Sequence, residues 1–118
     1  MTLLKTIPVA SLALPFFLAA IPAAKAQSGL ASWYAMHSRT ACGERMNPSA
    51  LTAAHRTLPC GTMIEVTNHH TGRVVTARVN DRGPFARGRI VDLSKGAAQH
   101  IGLVASGTAP VSIRVVER

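Results

Sequence analysis

The sequence predicts a small all-β fold, a closed barrel of about six short strands with one short helix. Three observations predict it. Apolar residues alternate with polar ones at a period of two in several short runs, including Val75, Ala77 and Val79 and again Val111, Ile113 and Val115. Turns rich in Gly and Pro interrupt those runs at short intervals. Many short strands leave many edges, and closure into a barrel removes them.

Residues 1–26 predict an export leader. Lys5 gives a positive start, Ile7 to Ile21 is almost wholly apolar, and Ala24-Lys25-Ala26 fits a signal peptidase site, so cleavage after Ala26 is expected. Pro8 and Pro15 inside the run and Pro22 after it argue against an uncleaved membrane anchor. The mature chain, Gln27 to Arg118, has 92 residues and makes one domain, 27–118. A domain of that size hides only about 60 to 65 % of its unfolded surface, so a covalent constraint matters. Cys42 and Cys60 supply a candidate: two cysteines in an exported chain most simply pair, adding roughly 3 kcal/mol on the chain-entropy estimate. A nucleophilic Cys60 near His55 is disfavoured, because the second thiol makes oxidation the easier fate.

Gly29 to Ala35 opens the domain as a short strand with the chain's only Trp and Tyr, Trp33 and Tyr34, which as strand neighbours point to opposite faces. Two roles are open for the pair: an outward aromatic at a cleft could stack on a sugar ring, or Trp33 fills the core while Tyr34 bridges core and solvent. Met36 to Pro48 is a loop by composition, in which Cys42 tethers Glu44. Small and apolar residues from Ala50 run up to His55, Pro59 ends regular pairing, and Cys60-Gly61 begins a turn, so His55 lies at an element's end. Met63 to Thr67 is a strand, joined through His69 to Gly72 to the strand that follows as a hairpin. His69 and His70 splay apart as neighbours and have no third ligand at a useful spacing, so neither a metal nor another cofactor is expected.

The strand that Arg73 begins breaks at Asn80-Asp81-Arg82-Gly83-Pro84, which is turn chemistry, and Arg89 to Leu93 forms the next strand. Asp81 therefore sits at a strand end, where a scaffold presents reactive groups. Ser94 is an N-cap for a short helix, Lys95 to Ile101, closed by Gly102; Asp92, two residues before that cap, is expected to assist it. Gly107-Thr108 turns the chain into its last strand.

Removing Lys5 and Lys25 leaves 11 basic side chains against five acids, a net charge of +6. That surface suits anionic polymers, and outside the cytoplasm the fitting ones are cell-wall glycans or anionic lipid headgroups. The arginines are scattered and few aromatics interleave with them, which speaks against nucleic acid. No stable membrane anchor is expected, and a monomer is favoured.

The segments GLASWYA, TACGERMNP, LTAAHRTLPCGT, VTNHHTGRVVTARVNDRGPF, GRIVDLSKGAAQHIG and VSIRVVE together resemble the rare lipoprotein A family of bacterial septal lytic transglycosylases. LTAAHRTLP followed by VNDRGPF is the most specific part. The resemblance implies a six-stranded double-psi β-barrel and an envelope enzyme. That enzyme would cleave bare peptidoglycan glycan strands between N-acetylmuramic acid and N-acetylglucosamine, leaving 1,6-anhydromuramyl ends. It also implies Asp81 as the catalytic aspartate, His55 as its histidine and Glu44 as the active-site glutamate. Tyr34, Asn80 and Arg82 are further candidates, for binding substrate. The same barrel is shared with expansins, so an expansin-like domain that grips a polysaccharide without cutting it is the competing expectation.

Two features differ from the family's pattern. No cysteine follows the leader closely for lipidation, and no C-terminal glycan-binding SPOR domain is present in these residues, so a soluble periplasmic or secreted form is expected without implied septal placement. Ordinary glycosidases need two carboxylates. Lytic transglycosylation needs one, since the sugar's own C6 hydroxyl attacks C1. Asp81 is then expected to serve as acid and base, His55 to hydrogen-bond Asp81 or the sugar, and Glu44 to bind sugar or stabilise charge at C1.

Overall fold

The computed structural model describes residues 26–117; the predicted leader, apart from Ala26, lies outside the described residues. Among them are six strands and one helix: β1 (Gln27–Tyr34), β2 (Thr52–Ala54), β3 (Met63–Asn68), β4 (Val74–Asp81), β5 (Arg89–Ser94), α1 (Lys95–His100) and β6 (Thr108–Glu117). The strands close into a barrel in the order β1-β5-β2-β4-β3-β6. β1 with β5 and β2 with β4 are parallel pairs, and the other four are antiparallel.

Alternation fills the interior, as the period of two requires. Ile64 and Val66 of β3, Val75, Ala77 and Val79 of β4, Val91 and Leu93 of β5, and Ala109, Val111 and Ile113 of β6 form one core with Ala31 and Ala53. Small residues dominate β2, whose Thr52, Ala53 and Ala54 are all buried, and a narrow strand of this kind fits between two bulkier ones in a small barrel. Trp33 packs against the core and Tyr34 faces away from it, the split predicted for this aromatic pair.

The β3–β4 hairpin forms as expected, with Gly72 at a φ of 73°, a conformation glycine adopts without strain. The connection after Asp81 is different. Turn composition suggested two strands joined tightly, but residues 82–88 carry the chain past β2, which pairs with both β4 and β5 and separates them. Non-local pairing of this sort leaves no mark in the residues of the turn itself.

Ser94 caps α1, its hydroxyl accepting from Ala97 N–H at 3.1 Å. Ala97, Ala98 and Ile101 from this helical segment are fully buried against the strands. Gly96 is required by packing: a Cβ there would lie 2.8 Å from the Ser49 carbonyl oxygen. Cys42 and Cys60 form the expected disulfide, with Cα atoms 5.9 Å apart, and tie the loop after β1 to the turn after β2.

Candidate active site

A β-bulge sets the site. Along the parallel β2–β4 pair, Thr52 lies opposite Arg78 and Ala53 opposite Val79, but Ala54 lies opposite Asp81. One extra residue, Asn80, has entered β4. In a regular strand Asp81 would share the inner face with Val79; the inserted residue turns it to the outer face beside Ala54, which is how bulges re-aim side chains near reactive sites. The same face carries Asp92, opposite both Ala54 and Ser32, and then Tyr34.

Three donors converge on the Asp81 carboxylate. Oδ1 accepts from the Ala41 N–H at 2.8 Å and from the Arg82 N–H at 2.9 Å, while Oδ2 accepts from the Tyr34 hydroxyl at 3.2 Å. Burial pushes the Tyr34 hydroxyl well above its ordinary pKa, and the neighbouring Asp81 charge raises it further, so Tyr34 stays protonated. The two oxygens are unlike: backbone N–H groups can only donate, whereas a hydroxyl can donate or accept.

The loop that supplies Ala41 also supplies Glu44. Thr40 N–H and Oγ1 donate to the Glu44 carbonyl at 2.7 and 2.9 Å, Cys42 N–H donates to the Asn80 carbonyl at 3.3 Å, and the disulfide pins the loop from the other side. Gly43 makes this tight course possible at a φ of 93°. The Glu44 side chain meets Arg78 through both oxygens, at 2.9 and 3.2 Å, and takes a further bond from Asn80 Nδ2 at 2.6 Å. These bonds, Arg78 first, hold its carboxyl below the usual range, so Glu44 is one half of a neutral pair.

His55 lies beside Asp81 along the backbone, its N–H donating to the Asp81 carbonyl at 3.1 Å. Its ring is engaged elsewhere. Nδ1 accepts from the Thr57 and Leu58 N–H groups, both at 3.1 Å, so the neutral ring carries its proton on Nε2 and donates it to Gln27 Oε1 at 3.0 Å. The side chain is 3 % exposed. Burial lowers its pKa, and the charges of Arg56 and Arg82 lower it further, so the neutral form persists. Of the two expected partners of the ring, Asp81 and the sugar, Asp81 is not bonded to it; the ring Nε2 meets Gln27.

Arg82 was expected to bind substrate. Its guanidinium turns to the segment after β2, where Nη1 donates to the carbonyls of His55 at 2.9 Å and Leu58 at 2.6 Å. Asn80 is 1 % exposed and directs its amide to Glu44. Both side chains hold neighbouring groups of the site in place. Asp92 does not cap α1: its carboxylate accepts from the Ser32 hydroxyl on the outer face, and Ser94 alone caps the helix. His69 Nε2 pairs with Ser112 Oγ at 2.6 Å.

Sequence reasoning missed Gln27, Arg78 and the Ser32–Asp92 pair. Arg78 had a signal, as the polar residue alternating outward between Ala77 and Val79; Gln27 had none.

The site is thus a closed barrel's outer face carrying Asp81 at a register shift, with Tyr34 bonded to it. The chain belongs to the family described as lytic transglycolase, whose profile matches residues 26–113. It is 55 % identical over 95 residues to a probable endolytic peptidoglycan transglycosylase RlpA of Nostoc sp., covering 76 % of this chain and 26 % of that one. It is 57 % identical over 91 residues to the endolytic peptidoglycan transglycosylase RlpA of Campylobacter jejuni, covering 75 % and 33 %. The chain thus spans about a third or less of the length of these relatives. Among solved structures the fold matches a Streptomyces papain inhibitor, with a TM-score of 0.67 and 24 % identity over 82 % of this chain and 99 % of that one. It also matches a mutant Clavibacter michiganensis expansin in complex with cellohexaose, with a TM-score of 0.65 and 22 % identity over 79 % and 51 %. At these identities the two structures establish the barrel alone.

Proposed function

We propose that this domain is an endolytic peptidoglycan lytic transglycosylase, exported after cleavage near Ala26, that cuts glycan strands between N-acetylmuramic acid and N-acetylglucosamine. The observation that carries the reading is the asymmetric seat of Asp81. Oδ1 is fixed by two N–H donors and must stay an acceptor; among the described residues Oδ2 meets only the Tyr34 hydroxyl, which can reverse its hydrogen bond. Oδ2 is therefore the oxygen that gains and loses a proton.

In the first half of the reaction Oδ2 gives its proton to the glycosidic oxygen as the C1–O bond breaks. In the second, the muramyl C6 hydroxyl attacks C1 and its proton returns to Oδ2, closing the 1,6-anhydro ring without consuming water. Tyr34 stabilises the carboxylate between the halves. Glu44, neutralised by Arg78 and held ionised, is poorly suited to donate a proton, which favours the one-acid reaction over two-carboxylate hydrolysis. Its remaining lone pairs are suited to sugar hydroxyls. His55 shapes the turn whose carbonyls hold Arg82 off the Asp81 carboxylate.

The test is incubation of the purified protein with peptidoglycan strands stripped of stem peptides, with products read by mass spectrometry. New anhydromuramyl ends support the reading; binding without new ends supports an expansin-like gripping domain instead.

A further inference from the structure

Phe85 is 79 % exposed, the most exposed large apolar side chain among the described residues. It follows Asp81 by four positions, in the connection between β4 and β5. That connection is held at both ends. Arg82 is clasped by the carbonyls of His55 and Leu58, Gly88 accepts from the Leu30 N–H at 2.9 Å, and Arg89 N–H donates to Ala86 at 3.2 Å. The ring itself lies beside the Gly83 backbone, close enough that a Cβ at residue 83 would stand 3.5 Å from its Cε2. An aromatic ring on a fixed loop loses little further freedom when a flat apolar face covers it, and the C–H face of a pyranose is such a partner.

The same loop is cationic. Arg87 is exposed and Arg89 half-exposed, and among the described residues neither belongs to an ion pair. On the other side of Asp81, Arg78 pairs with Glu44, and Arg39, whose guanidinium donates to the Gly43 carbonyl at 2.8 Å, and Arg45 add further positive charge in the loop that carries Glu44. Arginines therefore lie on both sides of the acid, and the β4–β5 connection adds an exposed aromatic ring to them. A muramyl ring without its stem peptide bears a lactyl carboxylate, and a glucosaminyl ring bears no charge.

We propose that Phe85 with Arg87 and Arg89 forms a subsite that stacks a muramyl ring and pairs with its free lactyl carboxylate. This rests on the glycan-cleaving reading of the site. The subsite reads ring shape through Phe85 and charge through the two arginines.

Binding is measured in protein carrying Asp81→Asn, so that no strand is cut, using stripped peptidoglycan strands and chitin oligomers, which share the sugar backbone but lack the lactyl group. Adding Phe85→Ala weakens both ligands about tenfold, and Phe85→Trp restores them. Adding Arg87→Ala weakens only the muramyl ligand, about threefold, and the difference fades at high salt. The same affinity in the Phe85→Ala protein, or equal losses for both ligands in the Arg87→Ala protein, would overturn the proposal. The wild-type cleavage assay separates the two ideas. Phe85-dependent binding with no anhydro product leaves the subsite standing and removes the enzyme, while cleavage indifferent to Phe85 does the reverse.

Discussion

Ala54 pairs with Asp81 where an unbroken ladder would give it Asn80. That single-residue slip joins the acid to the outer-face row of Tyr34, Ser32 and Asp92, and it leaves Asn80 buried and free to aim its amide at Glu44. Both halves of the site follow from one bulge.

If the Tyr34 hydroxyl stabilises the Asp81 carboxylate, Tyr34→Phe removes a hydrogen bond to a charged group, a class of bond worth about 1.5–3 kcal/mol. The expected result is a fall in kcat of about tenfold or more with KM nearly unchanged, since the bond matters between the two proton transfers. Steady-state rates on stripped strands decide it.

The Glu44–Arg78 pair has a testable weight. Its side chains are 40 % and 42 % exposed, so solvent screening limits the coupling to about 0.2–1 kcal/mol in a double-mutant cycle of Glu44→Gln and Arg78→Met. Its pH signature has a definite sign. The folded-state pKa of Glu44 lies below its ordinary 4.5, so the contribution is complete above that value and is lost as pH falls through the lower folded one. Denaturant midpoints between pH 6 and about pH 3 in wild type and Glu44→Gln would show the difference.

His55 titrates in a separate window with the same sign. Its folded pKa lies below the ordinary 6.5, so the unfolded chain takes up a proton that the folded chain resists as pH drops below that value. The His55 contribution is full above about pH 6.5 and declines on acidification, before that of Glu44 begins to be lost. Proton-coupled nitrogen spectra should show a neutral ring with its hydrogen on Nε2 at pH 7, and His55→Phe should remove the upper step of the stability profile.

Much of this was legible in the residues. The alternating runs of β3, β4 and β6, the Gly72 hairpin, the Ser94 cap and the Cys42–Cys60 link each rest on local chemistry that sequence displays directly. The bulge was hidden because Asn80-Asp81-Arg82-Gly83-Pro84 has the composition of a turn, and composition does not distinguish a turn from a strand carrying one residue too many. The partners of Arg82 were hidden for a related reason: its guanidinium reaches carbonyls 24 and 27 positions back along the chain. His55 was placed correctly at the end of its element, yet its ring partner, Gln27, comes from the first residue of β1.

Gly96→Ala tests the packing of α1 by the sign of its effect. In an exposed helix the change stabilises by about 1 kcal/mol, but here the new Cβ would stand 2.8 Å from the Ser49 carbonyl. Backbone cannot yield as a flexible side chain does, so a net loss of about 1–3 kcal/mol is expected in denaturant unfolding.

The central claim is that Asp81 alone shuttles the proton in both halves of the reaction. Wild type and Asp81→Asn, matched for folding by circular dichroism, are given the same stripped glycan strands, and anhydromuramyl ends are counted by mass spectrometry. The account predicts such ends from wild type and none above background from Asp81→Asn; equal release by both proteins would contradict it.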